Sequence, residues 1–217
     1  MAKRRTYGDR SGIARALDVV GERWALLVVR ELLLGPKRFT DLREGLPGAS
    51  PNVLSQRLRE LEAATVVRRR RLAPPASSWI YELTDWGREL KPIVLSLGTW
   101  AIRSPSFPRD APFGTDSVIL ALGTFFDAGA ADGLSARYEL RLGENAFHVN
   151  VADGVIDVDR GAPDDPDATL ETDPATLGAL IWDGRELAAA ERDGDVAIAG
   201  DRGAVTRFLE LFPRPTG

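Results

Sequence analysis

The sequence of 217 residues contains no cysteine, one histidine and one methionine. Without cysteine there is no disulfide, no thiol-based redox sensing, no thiolate nucleophile and no cysteine-ligated zinc. A histidine metal cage is nearly excluded as well, because His148 is the single histidine. No apolar run approaches the roughly 18 residues of a membrane span, and the basic start is not followed by an apolar segment. We therefore expect a cytoplasmic protein with no metal, no cofactor and no membrane partner.

The charges of the chain are distributed unevenly. The net charge is −4, but residues 1–105 hold 19 basic and 11 acidic side chains, a net +8, and the remainder holds 9 basic and 21 acidic, a net −12. Phosphates attract the first part and repel the second. The first part alone is therefore predicted to meet a polyanion, the alternative being that the two parts differ by chance.

The first part of the chain is predicted to form several helices and one hairpin. Apolar residues at helical spacing predict helices over 13–20, 22–34, 40–45, from 50 onward and over 85–102. The fourth helix has a well-defined start, because Ser50 is a favoured N-cap and Pro51 lacks the N–H that would have no partner there. Residues 66–72 and 79–84 are rich in β-branched and aromatic residues and predict two antiparallel strands. This order of elements is that of a winged helix-turn-helix.

Individual side chains of these helices also have predicted places. Thr40 is expected to be the N-cap of the third helix. Pro92 and Gly98 weaken the last helix. The residues of the second helix that are expected to belong to the hydrophobic core are Trp24, Leu27, Val28 and Leu32. The apolar residues at helical spacing in the last helix are Leu90, Ile93, Val94, Leu97 and Trp100.

The fourth helix has a polar face that suits the reading of DNA. Three leucines fall on one side of it, and Asn52, Gln56 and Arg59 fall one above another on the opposite side. The major groove admits one helix, and in it asparagine or glutamine can pair with adenine and arginine with guanine. The alternative interpretation of this pattern is a solvated amphipathic surface.

Four consecutive arginines, residues 68–71, lie in the first strand of the hairpin. Because side chains alternate across a strand, about two of them should point toward solvent and DNA. Such a run is otherwise simply a solvated cluster of charge. The residues predicted to contact DNA are Arg38, Thr40, Ser50, Asn52, Ser55, Gln56, Arg59, Arg69, Arg71 and Ser78.

The motifs GERW, ELLLGPKRF, SPNVLSQRLREL and YELT-x-x-G, within about 11–101, closely resemble those of the HxlR family of bacterial winged-helix transcription regulators. The resemblance implies a homodimer that contacts itself through the first and last helices, with SPNVLSQRLREL as recognition helix. Family members usually have a cysteine before the first helix, where this chain has Ser11 and Gly12. They usually end the recognition helix with glycine, where this chain has Thr65 after Ala64. A left-handed cap at Thr65 would cost about 1 kcal/mol or more, so we expect this helix to end differently.

The second part of the chain is predicted to have an α+β fold. Strands are expected over 136–142, 146–151, 155–159 and 168–172, spaced as a meander, with a short strand at VAIAG. Helices are expected from Thr172 or Asp173 to Gly184, over RELAAAERDG and over DRGAVTRFLELF. The pattern from about 116 to 212 resembles the sterol carrier protein type 2 domain, which implies a sheet covered by helices and an apolar ligand. The residues placed near any cavity are Trp182, Leu187, Phe208 and Phe212, the alternative being that they fill the core.

These patterns predict three segments: a DNA-binding and dimerisation domain (1–103), a proline-rich linker (104–115) and a sterol-carrier-like regulatory domain (116–217). No enzyme is expected, because the carboxylates of the second part lack a histidine or thiol partner. One hypothesis is a homodimer that binds an inverted-repeat operator in double-stranded DNA. A second is a lipid- or metabolite-binding module in which DNA binding is secondary. A third combines them, with an apolar small-molecule effector that shifts the dimer between DNA-competent and incompetent states.

Overall fold

The computed structural model describes residues 6–73, 77–108, 111 and 113–213. Part of the predicted hairpin loop and part of the predicted linker lie outside these residues. The chain divides into two compact units, Met1–Val94 and Leu95–Gly217. None of the described helices is long and apolar enough to cross a bilayer.

The first unit is built from helices and a three-stranded antiparallel sheet with the strand order β1-β3-β2. Its elements are α1 (Gly12–Val20), α2 (Ala25–Leu32), β1 (Lys37–Arg38), α3 (Phe39–Gly45), α4 (Pro51–Ala63), β2 (Val67–Arg71), β3 (Trp79–Leu83), α5 (Asp85–Arg88) and α6 (Leu90–Ala101), of which α6 continues into the second unit. This is the predicted winged helix-turn-helix, with β2 and β3 as the wing. The two-residue strand β1 was not predicted, because a strand this short has no alternating pattern.

The core of this unit forms around the apolar side of α4. Leu54, Leu58 and Leu61 are at most 1% exposed, and burial of each leucine contributes about 1.5–3 kcal/mol. They pack with Val28, Val29, Leu32, Leu42 and neighbouring apolar residues. α4 is therefore anchored on its leucine side, which leaves the opposite side for solvent or a ligand.

One predicted core position is wrong. Leu27 is exposed on α2, whereas Trp24 is half-buried and packs against the core of this unit. Trp24 precedes α2 with a φ of 76°, a left-handed conformation that is rare for a bulky residue, and α2 therefore begins at Ala25 rather than at residue 22. The Trp24 ring lies so close to Gly48 that a Cβ there would come within 2.8 Å of it, so this ring supports the loop that leads into α4.

The predicted helix over 85–102 is divided in two, because α5 ends at Arg88 and α6 begins at Leu90. Pro92 accounts for the break, since in a continuous helix its ring would clash with the carbonyl of Arg88, four residues earlier. On α6, Leu90 and Val94 pack against the core of the first unit. The other three apolar residues of this helix, Ile93, Leu97 and Trp100, are exposed and do not belong to a core.

The helix α3 begins one residue earlier than predicted, and Thr40 is not its N-cap. Arg38 occupies the cap position, and its backbone N–H donates to the Asp41 carboxylate at 2.9 Å. The Thr40 hydroxyl donates to the same carboxylate at 3.1 Å. The start of α3 is therefore capped by the carboxylate of Asp41, within the first turn of the helix, and not by the hydroxyl of Thr40.

The end of α4 also differs from the expectation. Thr65 does adopt the left-handed conformation, with a φ of 60°. The Val66 N–H donates to the Leu61 carbonyl at 2.9 Å and the Thr65 N–H to the Glu62 carbonyl at 3.0 Å, which is the hydrogen-bond pattern of a Schellman cap. The Thr65 carbonyl accepts from the Thr84 hydroxyl at 2.6 Å. These contacts hold a threonine where a glycine would be unstrained.

The second unit has a five-stranded sheet with the order β6-β5-β4-β7-β8, and it is an α+β unit as predicted. Its elements after α6 are α7 (Thr115–Phe125), β4 (Ala136–Leu142), β5 (Asn145–Ala152), β6 (Val155–Arg160), β7 (Ala168–Thr172), α8 (Pro174–Gly178), α9 (Leu187–Asp193), β8 (Ala197–Gly200) and α10 (Arg202–Glu210). A π-helical turn, Ala179–Asp183, continues α8. The helix α7 was not predicted.

The prediction of a simple meander is wrong for the fourth strand of this sheet. β4, β5 and β6 form an antiparallel meander, but β7 then pairs parallel with β4. The connecting segment returns across the end of the sheet, and Asp167 holds it there: its N–H donates to the Arg137 carbonyl at 2.8 Å, and its carboxylate accepts from the Arg137 N–H at 2.7 Å. Asp167 therefore has a structural role.

Candidate nucleic-acid interface

The polar face of α4 is exposed as the sequence predicts. Asn52, Gln56 and Arg59 are all exposed, opposite the buried leucines. Ser50 caps the helix, and its hydroxyl accepts from the Val53 N–H at 3.4 Å. The first N–H groups of a helix and its positive dipole end can bind a phosphate, so this end of α4 suits a contact with the DNA backbone.

A chain of hydrogen bonds links three side chains of this face. Arg59 Nη2 donates to Gln56 Oε1 at 2.8 Å, and Gln56 Nε2 donates to Glu60 Oε1 at 2.6 Å. The other carboxylate oxygen of Glu60 forms an ion pair with Arg57, whose Nη1 also lies 3.7 Å from the Glu22 carboxylate. The amide of Gln56 is thus bonded on both its oxygen and its nitrogen.

The four arginines of β2 divide into two pairs on opposite faces of the hairpin. In the register of β2 with β3, Arg68 lies opposite Glu82 and Arg70 opposite Ile80, on one face. Arg68 Nε and Arg70 Nε donate to the same oxygen of Glu82 at 2.7 and 3.1 Å. The bonds from Arg70, and then from Arg68, hold the pKa of the Glu82 carboxyl below its usual value, although burial acts to raise it. A single buried carboxylate therefore partly neutralises two guanidinium groups.

The other two arginines lie on the opposite face of the hairpin. The Arg69 guanidinium stacks over the Trp79 ring at 4.3 Å from its centroid and lies 5.9 Å from that of Tyr81. Arg71 Nε donates to the Ser77 carbonyl at 3.4 Å. A guanidinium held on an aromatic face keeps its N–H donors at the ring edges, where they can bond a phosphate. Arg69 is thus positioned without being neutralised.

The remaining predicted residues lie around these two groups. Arg38 and Thr40 are exposed at the start of α3. Ser55 is half-buried on α4, and Ser78 is half-buried next to β3, where its carbonyl accepts from the Leu72 N–H at 2.8 Å. The structure therefore places the candidate residues on α4, on the hairpin and at the start of α3.

Sequence reasoning missed the acidic residues of this surface, because it searched for cations and amides. Glu60 stands four residues after Gln56 on a helix, a spacing at which side chains interact. Glu82 lies opposite the arginine run in the hairpin. A third acid, Glu31, is buried and accepts from Arg30 and Lys37 at 2.8 and 2.7 Å. The spacing on α4 could have indicated Glu60, whereas Glu82 required the register of the hairpin.

The predicted ligand residues of the second unit fall into different surroundings. Trp182 lies in the π-helical turn, with its ring 5.4 Å from that of Phe113 and 5.1 Å from that of Phe125. Phe208 and Phe212 are at most 2% exposed and contact each other at 5.1 Å between ring centroids. Leu187 is half-buried at the start of α9.

No cluster of three or more histidine and carboxylate side chains suited to a metal ion occurs in the part of the chain that the structure describes.

The first unit is similar to known transcription regulators. Residues 19–105 match the family model described as HxlR-like helix-turn-helix. The HTH-type transcriptional regulator YvaP of Bacillus subtilis is 40% identical over 95 residues, which are 43% of this chain and 88% of YvaP. This chain belongs to the HxlR-like helix-turn-helix family. YodB of the same organism is 36% identical over 40% of this chain and 77% of YodB.

The solved structures resemble this chain only weakly. The crystal structure of the HTH-type regulator YtcD is 33% identical and covers 42% of this chain and 94% of its own, with a TM-score of 0.40. Residues 114–217 match a different family model, described as alkyl sulfatase C-terminal. The sec-alkylsulfatase Pisa1 from Pseudomonas sp. is 19% identical over 48% of this chain, with a TM-score of 0.45, and this chain covers 17% of Pisa1.

Proposed function

We propose that this HxlR-type regulator binds an inverted-repeat operator as a homodimer, with α4 in the major groove and the hairpin of β2 and β3 on the adjacent backbone. The amphipathic character of α4 carries the proposal. Its leucine side is buried at 1% exposure or less, and its opposite side presents Asn52, Gln56 and Arg59 to solvent. An anchored helix with exposed amide and guanidinium groups is the geometry that direct reading of bases needs.

The hairpin supplies the contacts that do not read sequence. Arg69 is held on Trp79 with its donors exposed, and Arg71 lies further along the same face of the strand. Arginines on a wing neutralise phosphates and so contribute to the affinity for any DNA sequence. The net +8 charge of residues 1–105 supports the same assignment.

Exposed apolar side chains support the homodimer. Ile13 and Leu17 lie on α1, and Ile93, Leu97 and Trp100 recur at helical spacing on α6. Ile13 is 77% and Trp100 67% exposed, which is costly for large apolar side chains in an isolated protein. A second copy of the chain would cover both helices, in keeping with the dimer contact that the family resemblance implies.

The test is a selection of the full-length chain against a random library of duplex DNA, followed by footprinting. A two-fold symmetric dimer should select an inverted repeat whose half-sites are separated by about one helical turn, roughly 34 Å, or a multiple of it. Gln56→Ala or Arg59→Ala should lose discrimination at particular base pairs, by about 1–3 kcal/mol each. A sequence-blind affinity without a protected palindrome would refute the proposal.

For the rest of the chain we propose a linker (104–115) and a sterol-carrier-like effector domain (116–217), joined to a DNA-binding and dimerisation domain (1–103). One observation favours an apolar effector. The Trp182 indole nitrogen is buried and has no hydrogen-bond acceptor among the described residues. A buried N–H without an acceptor is unfavourable, and an apolar molecule with one acceptor atom would satisfy it on entering between the indole and the Phe113 and Phe125 rings, which would have to move apart to admit it.

Operator affinity, measured with and without a long-chain fatty acid, tests this second role. If the ligand binds one state of the dimer better, affinity for the operator should change in its presence. Trp182→Phe keeps the aromatic ring and removes the N–H, so it should weaken fatty-acid binding while operator affinity without the ligand stays the same. If the fatty acid binds but operator affinity stays the same, then ligand binding to the second unit does not influence DNA binding.

A further inference from the structure

The side-chain amide of Gln56 has one orientation in this structure, and its neighbours dictate which one. Arg59 bonds to the amide oxygen and Glu60 to the amide nitrogen. A guanidinium has only donors and an ionised carboxylate has only acceptors. The reversed amide would place its NH₂ against the guanidinium and its oxygen against the carboxylate, and it would lose both hydrogen bonds.

This orientation leaves a donor and an acceptor for a partner outside the protein. A glutamine amide has two N–H donors and two lone pairs on its oxygen. Glu60 takes one of the donors, and Arg59 takes one of the lone pairs. One N–H and one lone pair remain on an exposed side chain. In the major groove, adenine offers the complementary pair, the N7 acceptor and the N6 donor, whereas guanine offers two acceptors.

Glu60 is itself held in place on its far side. Its second oxygen forms an ion pair with Arg57, whose side chain is only 14% exposed and also lies near Glu22. The carboxylate therefore cannot rotate away without losing this ion pair. A negative charge on a DNA-facing helix weakens the attraction to phosphates, so Glu60 opposes affinity while it orients the amide.

We propose that Glu60 is a specificity-determining positioning residue, which fixes the Gln56 amide so that it accepts adenine and rejects guanine at one base pair of the half-site. The inference rests on the proposed operator binding by α4. With the amide fixed, its oxygen would face the O6 acceptor of guanine and repel it. Without Glu60, only the hydrogen bond from Arg59, among the contacts of the described residues, opposes rotation of the amide. The amide then turns over more readily and donates to guanine, and discrimination falls.

The experiment compares Glu60→Ala with Glu62→Ala in the full-length protein. Both variants remove one negative charge from the same helix, and Glu62 is exposed with no side-chain hydrogen bond or ion pair among the described residues. The base pair concerned is the one at which Gln56→Ala removes the preference of the wild type. Affinity is then measured for operators with adenine or guanine at that position and for unrelated DNA.

Glu60→Ala should lower the preference for adenine over guanine on the order of tenfold. This factor corresponds to the conformational entropy that the Gln56 side chain regains when Glu60 no longer holds it. Glu62→Ala should leave this preference within about twofold, and both should bind unrelated DNA slightly more tightly because an acid is gone. Glu60→Gln retains an acceptor oxygen and should keep most of the preference. In the Gln56→Ala background, Glu60→Ala should change nothing further at that base pair.

An unchanged preference in Glu60→Ala, or an equal loss in both alanine variants, would overturn the inference. Thermal unfolding shows whether Glu60→Ala is folded, and if it is not, Glu60→Met keeps the length of the side chain without its acceptor and carries the same test. A wild-type protein that selects no inverted repeat refutes the proposed function instead. If an inverted repeat is selected but Gln56→Ala alters no base preference, operator binding stands and the role of Glu60 falls.

Discussion

Replacing single arginines of the hairpin should separate those that contact DNA from those that Glu82 neutralises. Arg69 and Arg70 are adjacent in β2, and their replacement by alanine removes the same charge from the same strand. Arg70 donates to Glu82, whereas Arg69 stacks on Trp79 with its donors exposed. Removal of Arg70 leaves Glu82 paired with Arg68, so neither variant leaves a buried carboxylate without a partner.

The expected effect is a change in the salt dependence of DNA binding. Each phosphate contact contributes about 0.9 to the slope of log affinity against log salt concentration. A dimer contains two copies of Arg69, so Arg69→Ala should reduce the slope by about 1.8. Over a fourfold change in salt, such as 50 to 200 mM, the variant should therefore lose about 12-fold less affinity than the wild type. Arg70→Ala should change the slope by much less than this.

The assay is fluorescence anisotropy with a labelled duplex at several salt concentrations, for the full-length wild type and both variants. Long-range attraction falls equally in the two variants, so their difference isolates the direct contact. If Arg70→Ala flattens the slope as much as Arg69→Ala or more, then Glu82 does not withhold Arg70 from DNA, and the division of the arginines into two pairs fails.

Three further outcomes follow from the fold. Thr65→Gly should raise the free energy of unfolding by about 1 kcal/mol, because glycine adopts the left-handed cap without strain, and an unchanged denaturation midpoint would contradict this. If the proposed dimer forms through α6, Trp100→Glu should shift it toward monomer in sedimentation, since the substitution places a charge among the exposed apolar side chains of this helix. Because the pKa of Glu82 is lowered in the folded protein, its stabilising effect is complete above about pH 4.5 and is lost as pH falls through the lower folded value. Glu82→Gln should therefore be less stable near neutral pH and should lose less stability on acidification, as followed by chemical denaturation at each pH.

The fold of the first unit could largely be predicted because its elements have strong local patterns. The start of α4 depends on Ser50 and Pro51, whose effects are local, and its buried side follows from the spacing of the leucines. The break at Glu89 could also be explained from Pro92 alone. By contrast, the left-handed Thr65 depends on a hydroxyl 19 residues away, that of Thr84, which no local pattern contains.

The second unit shows where periodicity gives no signal. Four apolar residues of α7 are buried and spread over about 200° of the helix circumference, which is wider than a single apolar stripe: Val118, Ile119, Leu120 and Leu122. Its one early acid, Asp116, is also buried and forms an ion pair with Arg160 at 2.5 Å. A helix without a polar face lacks the 3.6-residue signal on which the prediction relied. The parallel pairing of β7 with β4 likewise depends on a crossing connection rather than on the strands themselves.

For the candidate interface, sequence reasoning indicated the residue types but not how they pair. The alternation of residues 68–71 predicted that two arginines would differ from the other two, and the structure places Glu82 on the side of Arg68 and Arg70. Which side the carboxylate occupies depends on the register of β2 with β3, and a shift of one residue would reverse it. The availability of each arginine is therefore a property of the hairpin, not of the arginine run.

Glu82 and Glu60, the two carboxylates of the candidate interface, are expected to influence different properties of DNA binding. In the proposed interface, Glu82 determines how many guanidinium groups of the hairpin remain to bond phosphates, and phosphate contacts contribute to affinity for every sequence alike. In the proposed recognition, Glu60 acts mainly on the orientation of one amide, which alters the ratio of affinities between sequences, and its charge lowers their common level only slightly. They share no partner among the described residues, since Glu60 bonds to Gln56 and Arg57 and Glu82 to the arginines of β2. An acid on a DNA-binding surface therefore need not oppose recognition, because it can withhold a cation in one place and direct a hydrogen bond in another.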